Sequence, residues 1–375
     1  MKNIIIIILL IFSIDIINCS FQSTLFSRMS KDKKGKNLII SPLGIFQSLS
    51  LTANGAKGQT QLEMLDLLQS STIEELNNIN YEIISLIQNC STIDIANAVL
   101  TRFPPLKNFV TISQKYFAPI EPLRSLEQIN NWCSNMTHGK INKILDDLDP
   151  LTVMIILNAV YFKGEWALKF ETSKTKKLPF YNFGTEEIII DTMVKIDHFK
   201  YFENKEVQAI ELRFAKDYMS AIIILPAEGT DINKFIDTLS ISNDEYEKII
   251  NGLNRKKVNL QLPKFELEFS ENLNQILINL GMYDAFDLKN ADFGGLSEEG
   301  NLYIDQVVHK TYLKIFEDGC EAASDSVVVI TTNSTYIQEK IYDMKVNRPF
   351  LFLIKNSMMP KGYDLVFMSK IEKLK

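Results

Sequence analysis

Histidine is scarce, the cysteines do not pair off, and no long apolar run follows the first residues. Only His138, His198 and His309 are available as imidazole bases or ligands in 375 residues. No HExxH, GxSxG or Walker A pattern occurs, and Gly55-Ala-Lys-Gly-Gln-Thr60 lacks the GK[ST] ending a phosphate cradle requires. The carboxylates are numerous but scattered, as on a solvated surface. Four cysteines, at 19, 90, 133 and 320, make neither a disulfide framework nor a CxxC zinc or redox pair. The net charge is −6, and no basic stripe carries interleaved aromatics, which argues against a nucleic-acid partner. An enzyme reading is therefore poor, and no cofactor or metal is implied.

What is present is ordinary globular composition, 46% hydrophobic and 23% charged, in a chain long enough to bury a large core without covalent staples. The N-terminus is distinctive. Lys2 precedes an apolar run from Ile4 to Ile14, and the small residues Cys19 and Ser20 follow. This is the layout of a secretory signal, residues 1–20, with cleavage near residue 20. The run is short of the roughly 20 residues a membrane span needs, and Asp15 interrupts it. The mature chain, 21–375, is expected to be exported, soluble and free of membrane. Asn89, Asn135 and Asn333 each head an N-x-[ST] sequon and are candidate acceptors of an extracellular glycoprotein.

Periodicity predicts helices first and strands later. Helical spacing covers FQSTLFSRMSKDKKGKN, SPLGIFQSLSLTANGAKG and two segments within 60–89. Strand character marks DIANAVLTRF, TVMIILNAVYF, EVQAIELRF with YMSAIIILPA, KKVNLQLPKFELEF, YIDQVVHKTYLKIF, and a closing pair, PFLFLI and YDLVFMSKI. Pro263 marks a kink or an edge. No repeat or low-complexity linker divides the chain, so one α+β domain is predicted. His309, inside an alternating run, reads by itself as a hydrogen-bonded core histidine.

Residues 317–335, EDGCEAASDSVVVITTNST, pose a separate problem. From Cys320 to Ile330 the even positions are uncharged and mostly small, while Glu321 and Asp325 fall on odd positions. Successive strand residues face opposite ways, so one face suits burial and the other suits water.

Several blocks resemble the serpin family, from about Asn37 to Ile371. They are Asn37-Leu-Ile-Ile-Ser41-Pro42 with Gly55-Ala-Lys-Gly-Gln-Thr60, Asn158-Ala-Val-Tyr-Phe-Lys-Gly-Glu-Trp166 with Phe170, Leu262-Pro-Lys-Phe265, Phe316-Glu-Asp-Gly-Cys-Glu-Ala-Ala323 and Asn347-Arg-Pro-Phe350. Their order and spacing carry the likeness more than any one block does. The resemblance implies three β-sheets, about nine helices and an exposed reactive-centre loop, about 317–346, that baits a protease. The cleaved loop would insert into the central sheet, an example of strand addition and strain release. On that reading the chain is an irreversible suicide-substrate inhibitor of a serine or cysteine endopeptidase, monomeric and not an enzyme. The alternative is a non-inhibitory carrier or chaperone.

The resemblance also assigns roles. Glu317, Gly319, Cys320, Glu321, Ala322 and Ala323 match the hinge, where no proline interrupts 317–346. Ser41, Asn158 and His309 match the shutter where the central strands part, with Gly44 standing where the family often has serine. Trp166 matches the tryptophan beneath the loop's entry point, and Lys264 is expected to pair with Glu317. The family's usual spacing puts the scissile bond at Asn333-Ser334, which suits a legumain-like asparaginyl protease. Tyr336 would suit a chymotrypsin-like enzyme, Lys340 a trypsin-like one, and Thr332 or Ile330 an elastase-like one. Residues 61–95 lack the basic cluster of a heparin site.

Overall fold

The structure, a computed structural model, describes residues 20–88, 90–241, 243–299, 301–319 and 339–375. The chain begins with helix α1 (Phe21–Asp32), capped by Ser20, whose hydroxyl accepts from Ser23 N–H at 3.3 Å. The short strand β1 (Leu38–Ile40) leads to α2 (Pro42–Ala53), capped by Ser41 with proline at its first position and buried at all twelve residues. Helices α3 (Gly58–Leu67) and α4 (Ile73–Ile87) follow, then β2 (Ile93–Thr101), α5 (Lys107–Lys115), β3 (Ile120–Pro122) and α6 (Leu126–Met136). Strand β4 (Met154–Phe162) is buried on both faces along its whole length, as its unbroken apolar run requires.

The second half is strand-rich. It holds β5 (Lys176–Asn182), β6 (Glu186–Glu203), β7 (Val207–Arg213), β8 (Met219–Pro226), α7 (Ile232–Ile241) and α8 (Asn243–Gly252). Then come β9 (Asn254–Pro263), β10 (Phe265–Asn272), α9 (Asn274–Asn279), β11 (Gln306–Ile315), β12 (Ile341–Lys345), β13 (Phe350–Asn356) and β14 (Leu365–Ile371). Nine α-helices are present among the described residues, and the α+β class is as expected.

Among the described residues the strands form two hydrogen-bonded sheets rather than three separate ones. One has the order β10-β11-β4-β2-β3; the other runs β1-β14-β13-β8-β7-β6-β9-β12, with β5 on β6. The 18-residue β6 is the reason for the merger. Its upper part pairs with β5, its middle with β9 and its end with β7, so one strand carries hydrogen bonding across what would otherwise be two layers. Pro263 lies at an edge and at a break, as expected: it pairs with Thr192 of β6 alone, the β12 ladder having stopped at Gln261, and it ends β9 in one sheet before Phe265 opens β10 in the other. A proline cannot donate to the next ladder bond, so the chain changes sheets there. The β5–β6 hairpin and helix α5 lie outside the sequence-based expectation, because α5 carries β-prone Phe109, Val110 and Thr111.

Strand parity places the core. Met154, Ile156, Val160 and Phe162 of β4 face the main core, while Ile155, Leu157 and Ala159 face a smaller one beneath α6. No helix among the described residues is long and apolar enough to cross a membrane.

Candidate functional site

Strands β4 and β11 are parallel and directly paired, from Ile155 opposite Gln306 to Tyr161 opposite Tyr312. Midway, three polar residues stand in one row across the sheet: Asn97 pairs in register with Asn158, and Asn158 with His309. Their side chains form a relay that begins at the Ser41 backbone. Ser41 N–H donates to His309 Nε2 at 3.1 Å, His309 Nδ1 donates to Asn158 Oδ1 at 2.6 Å, and Asn158 Nδ2 donates to Asn97 Oδ1 at 2.5 Å. Because Nε2 accepts from a backbone N–H, the network assigns the proton to Nδ1. His309 is fully buried, and burial holds its pKa down to about 3, so it is neutral and out of reach of any substrate.

Gly44 does not leave this relay short of a partner. A side-chain carbon there would lie 2.6 Å from Asn158 Nδ2 and 2.9 Å from Val160 Cγ2, so Asn158 already fills the space. The glycine's own N–H caps onto Ser41 Oγ at 3.2 Å. On the opposite face, Lys310 pairs with Glu268 at 2.7 Å and donates to the Lys143 carbonyl, tying the segment after α6 to the sheet.

Just past β11 the chain reverses in a tight turn, Phe316 and Gly319 exchanging backbone hydrogen bonds of 2.9 and 3.1 Å. Gly319 has φ +134°, and a Cβ there would sit 2.2 Å from Gly164 O, so only glycine fits. Residues 164–170 form a bracket around the turn. Trp166 N–H donates to Asp318 O and Phe170 N–H to Glu317 O, both at 2.9 Å, and the Trp166 indole N–H donates to Phe316 O at 3.0 Å. Trp166 stacks on Phe214, centroids 4.5 Å apart.

Glu317 is 7% exposed at its side chain and is held by two donors, Thr175 Oγ1 at 2.7 Å and Lys264 Nζ at 3.0 Å. Burial pushes this carboxyl up, but the hydrogen bonds from Thr175 and Lys264 outweigh it and keep the pKa below the usual glutamate value. Lys264 reaches Glu317 because it is the one residue between β9 and β10, where the chain changes sheets.

The far end of the loop is anchored differently. His198 Nε2 lies 3.0 Å from both Glu339 oxygens, and Lys340 Nζ sits 4.1 Å from the centre of the Tyr342 ring. Strand β12 then pairs with β9 at once, Ile341 opposite Lys257.

Cys320, Glu321, Ala322, Ala323, Ile330, Thr332, Asn333, Ser334, Tyr336 and Asn89 lie outside the described residues, as do residues 1–19. Asn135 is exposed, and the Thr137 hydroxyl of its sequon is buried against Cys133 O at 2.8 Å. Cys90 and Cys133 are free thiols. No group of three or more His, Cys, Asp or Glu side chains is placed to hold a metal among the described residues. Thus the structure brings Ser41, Asn158 and His309 together in one cluster and Trp166, Lys264, Glu317 and Gly319 in another. Sequence reading missed Asn97, Thr175, Phe214 and Lys169. Asn97 carried a signal, a lone amide inside an apolar strand; Thr175 and Phe214 are unremarkable in their local sequence.

Comparison with known proteins agrees with this geometry. The profile of the family described as serpin (serine protease inhibitor) matches residues 17–373. Iripin-2 of Ixodes ricinus is 31% identical over 361 residues, covering 90% of this chain and 88% of its own. Among solved structures, the thermophilic serpin tengpin in its native state has 32% identity and a TM-score of 0.84, covering 95% of this chain and 92% of its own. Human thyroxine-binding globulin in complex with its hormone has 25% identity and a TM-score of 0.85, covering 97% of this chain and 99% of its own.

Proposed function

The chain belongs to the serpin family, and from that premise we propose that it traps an endopeptidase as a covalent acyl-enzyme by inserting its cleaved loop between β4 and β11. The observation that carries this reading is the direct parallel pairing of those two strands, with the chain reversing at Phe316–Gly319 immediately beyond β11. A strand that re-enters from that turn runs antiparallel to β11, and therefore antiparallel to β4. Insertion exchanges one parallel ladder for two antiparallel ones, the slightly more stable pairing per residue. The small, uncharged even positions of 320–330 supply the face that must be buried.

The chemistry before insertion is ordinary acyl transfer. The protease's serine hydroxyl or cysteine thiol adds to the Asn333 carbonyl and loses its proton. The Asn333–Ser334 bond then breaks, and the new amine of Ser334 leaves with a proton. Residues 320–333, as a strand at about 3.3 Å per residue, extend about 46 Å, whereas β11 has ten residues. The acyl-linked end would be carried past the far end of the sheet with the protease attached. Lys340 is the weakest of the bait candidates. It directly precedes β12, so a protease cleft gripping residues on both sides of that bond would have to peel β12 from β9. We also read residues 1–20 as an export signal, with the mature protein a secreted, Asn135-glycosylated monomer; N-terminal sequencing and glycosidase treatment of protein from the medium test this.

The test of function is a denaturing gel with mass spectrometry after mixing the protein with asparaginyl, chymotryptic, tryptic and elastolytic proteases. A covalent band and a released peptide beginning at Ser334 are expected. Complete cleavage by every enzyme without an adduct sinks the inhibitory reading. It would favour the second reading, a carrier, which has one feature in its support. A cavity of about 600 Å³ between α1, α8 and the strands β13 and β14 is lined by Phe21, Tyr246, Leu353 and Tyr363, and the buried Tyr246 hydroxyl has no hydrogen-bond partner among the described residues.

A further inference from the structure

Lys169 belongs to neither the shutter nor the Lys264–Glu317 pair. It lies on the bracket 164–170, with Nζ 3.2 Å from Glu165 Oε2 and 3.5 Å from Asp318 Oδ1. The two contacts differ in what they join. Glu165 and Lys169 share one segment, so their contact survives any separation of β4 from β11. Asp318 lies across the boundary, on the turn that follows β11.

The bracket is fixed from behind. Ala167 N–H donates to Arg213 O and Glu165 O accepts from Ala215 N–H, at 2.9 and 2.8 Å, which anchors it to the β7–β8 hairpin. Lys195 Nζ donates to Lys169 O at 2.8 Å, which fixes the backbone from which the Lys169 side chain departs. A strand entering between β4 and β11 from above must therefore move residues 316–319 away from a stationary partner. That movement breaks the Trp166–Asp318 and Phe170–Glu317 backbone bonds and pulls the Asp318 carboxylate from Lys169.

We infer that Lys169 is a positioning residue for strand insertion, an ionic clasp whose grip on Asp318 is weakened by the competing Glu165 and which sets the rate at which the sheet opens at its top. The inference rests on the insertion reading above. Asp318 is 44% exposed and Lys169 28%, so the clasp works in water and is screened by salt. A pair of that kind changes an opening rate by about 2- to 5-fold.

The test supplies the inserting strand in trans, so that no target protease is needed. A synthetic peptide of residues 320–333 is added to the full chain. Its uptake is followed by the rise in thermal midpoint and by tryptophan emission, since the Trp166 indole is bonded to the turn that must move. Lys169→Ala and Asp318→Asn are each expected to speed uptake about 2- to 5-fold, and Lys169→Arg to restore the wild-type rate. Glu165→Gln is expected to slow it, because the ammonium then serves Asp318 alone. Raising salt from about 0.05 to 0.5 M should speed the wild type more than Asp318→Asn. Unaltered rates in Lys169→Ala and Asp318→Asn overturn the clasp while leaving insertion intact, as does a Glu165→Gln variant that speeds uptake. A wild type that takes up no peptide overturns the insertion reading and the clasp with it.

Discussion

Halfway along β4 and β11 the strands are joined by neutral groups that water does not reach; at their upper ends they are joined by ions and backbone carbonyls that it partly does. The mid-strand row of Ser41, His309, Asn158 and Asn97 is buried, and three hydrogen bonds join its members one to the next. In the upper clasp Glu317 is buried, while Lys264, Lys169 and Asp318 remain in contact with solvent. The difference separates two jobs. A dry relay of hydrogen bonds is costly to leave half-made, so it holds one arrangement or opens completely. A wet ionic contact costs little to break, so it can regulate how often the top of the sheet parts without deciding whether the protein is folded.

The largest effect is expected at the turn that carries the upper region. Gly319→Ala places a carbon 2.2 Å from Gly164 O at a φ of +134°, and we expect a loss of about 3 kcal/mol or more in urea unfolding. An unchanged midpoint would mean that the turn is not held by the bracket.

Asn158→Ala removes the centre of the mid-strand relay and strips His309 Nδ1 and Asn97 Oδ1 of their partner in the interior, while the Ser41 N–H bond to His309 Nε2 stays. The expected cost is about 2–3 kcal/mol, insensitive to salt. A loss that shrinks as salt rises would contradict the neutral character assigned to the row.

The same row predicts acid sensitivity with a definite sign. His309 has a folded pKa near 3, against about 6.5 when unfolded. Below pH 6.5 the unfolded chain binds a proton that the native chain excludes. Stability is therefore full above pH 6.5 and falls as pH drops toward 3, with a loss of about 2 kcal/mol between pH 7.5 and 5. Unfolding curves at the two values, compared with those of His309→Gln, isolate this contribution; identical slopes in both proteins would refute it.

The smallest effect is expected from Lys264→Met. It strips the cation from Glu317 but leaves the Thr175 hydroxyl in place, so a loss of about 1–2 kcal/mol is anticipated. It should vanish at acid pH, once the Glu317 carboxyl protonates. A loss as large as that of Asn158→Ala would erase the distinction between the two regions.

Much of this was legible in the sequence. Ser41 before Pro42 announces the start of α2, the unbroken apolar run 154–162 announces a strand buried on both faces, and the alternation in 306–315 places His309 inward. Gly44 stood out only as a departure from the usual serine, and local sequence does not reveal that Asn158 fills the space beside it. Pro263 was recognised as a break, but only the structure makes it the crossing from one sheet to the other, which is what delivers Lys264 to Glu317.

By itself the sequence determined which face of each strand is apolar, where helices begin, and that residues 320–330 have one side small enough to bury, because these follow from periods of two and 3.6 residues along a single segment. Which residues stand beside one another follows from the packing of distant segments. Asn97 meets Asn158, Thr175 meets Glu317, and Lys169 meets Asp318 through strand register and a turn that no local period encodes. Those partners lie far apart in the chain, and register is chosen by the packing of the whole sheet against its two cores.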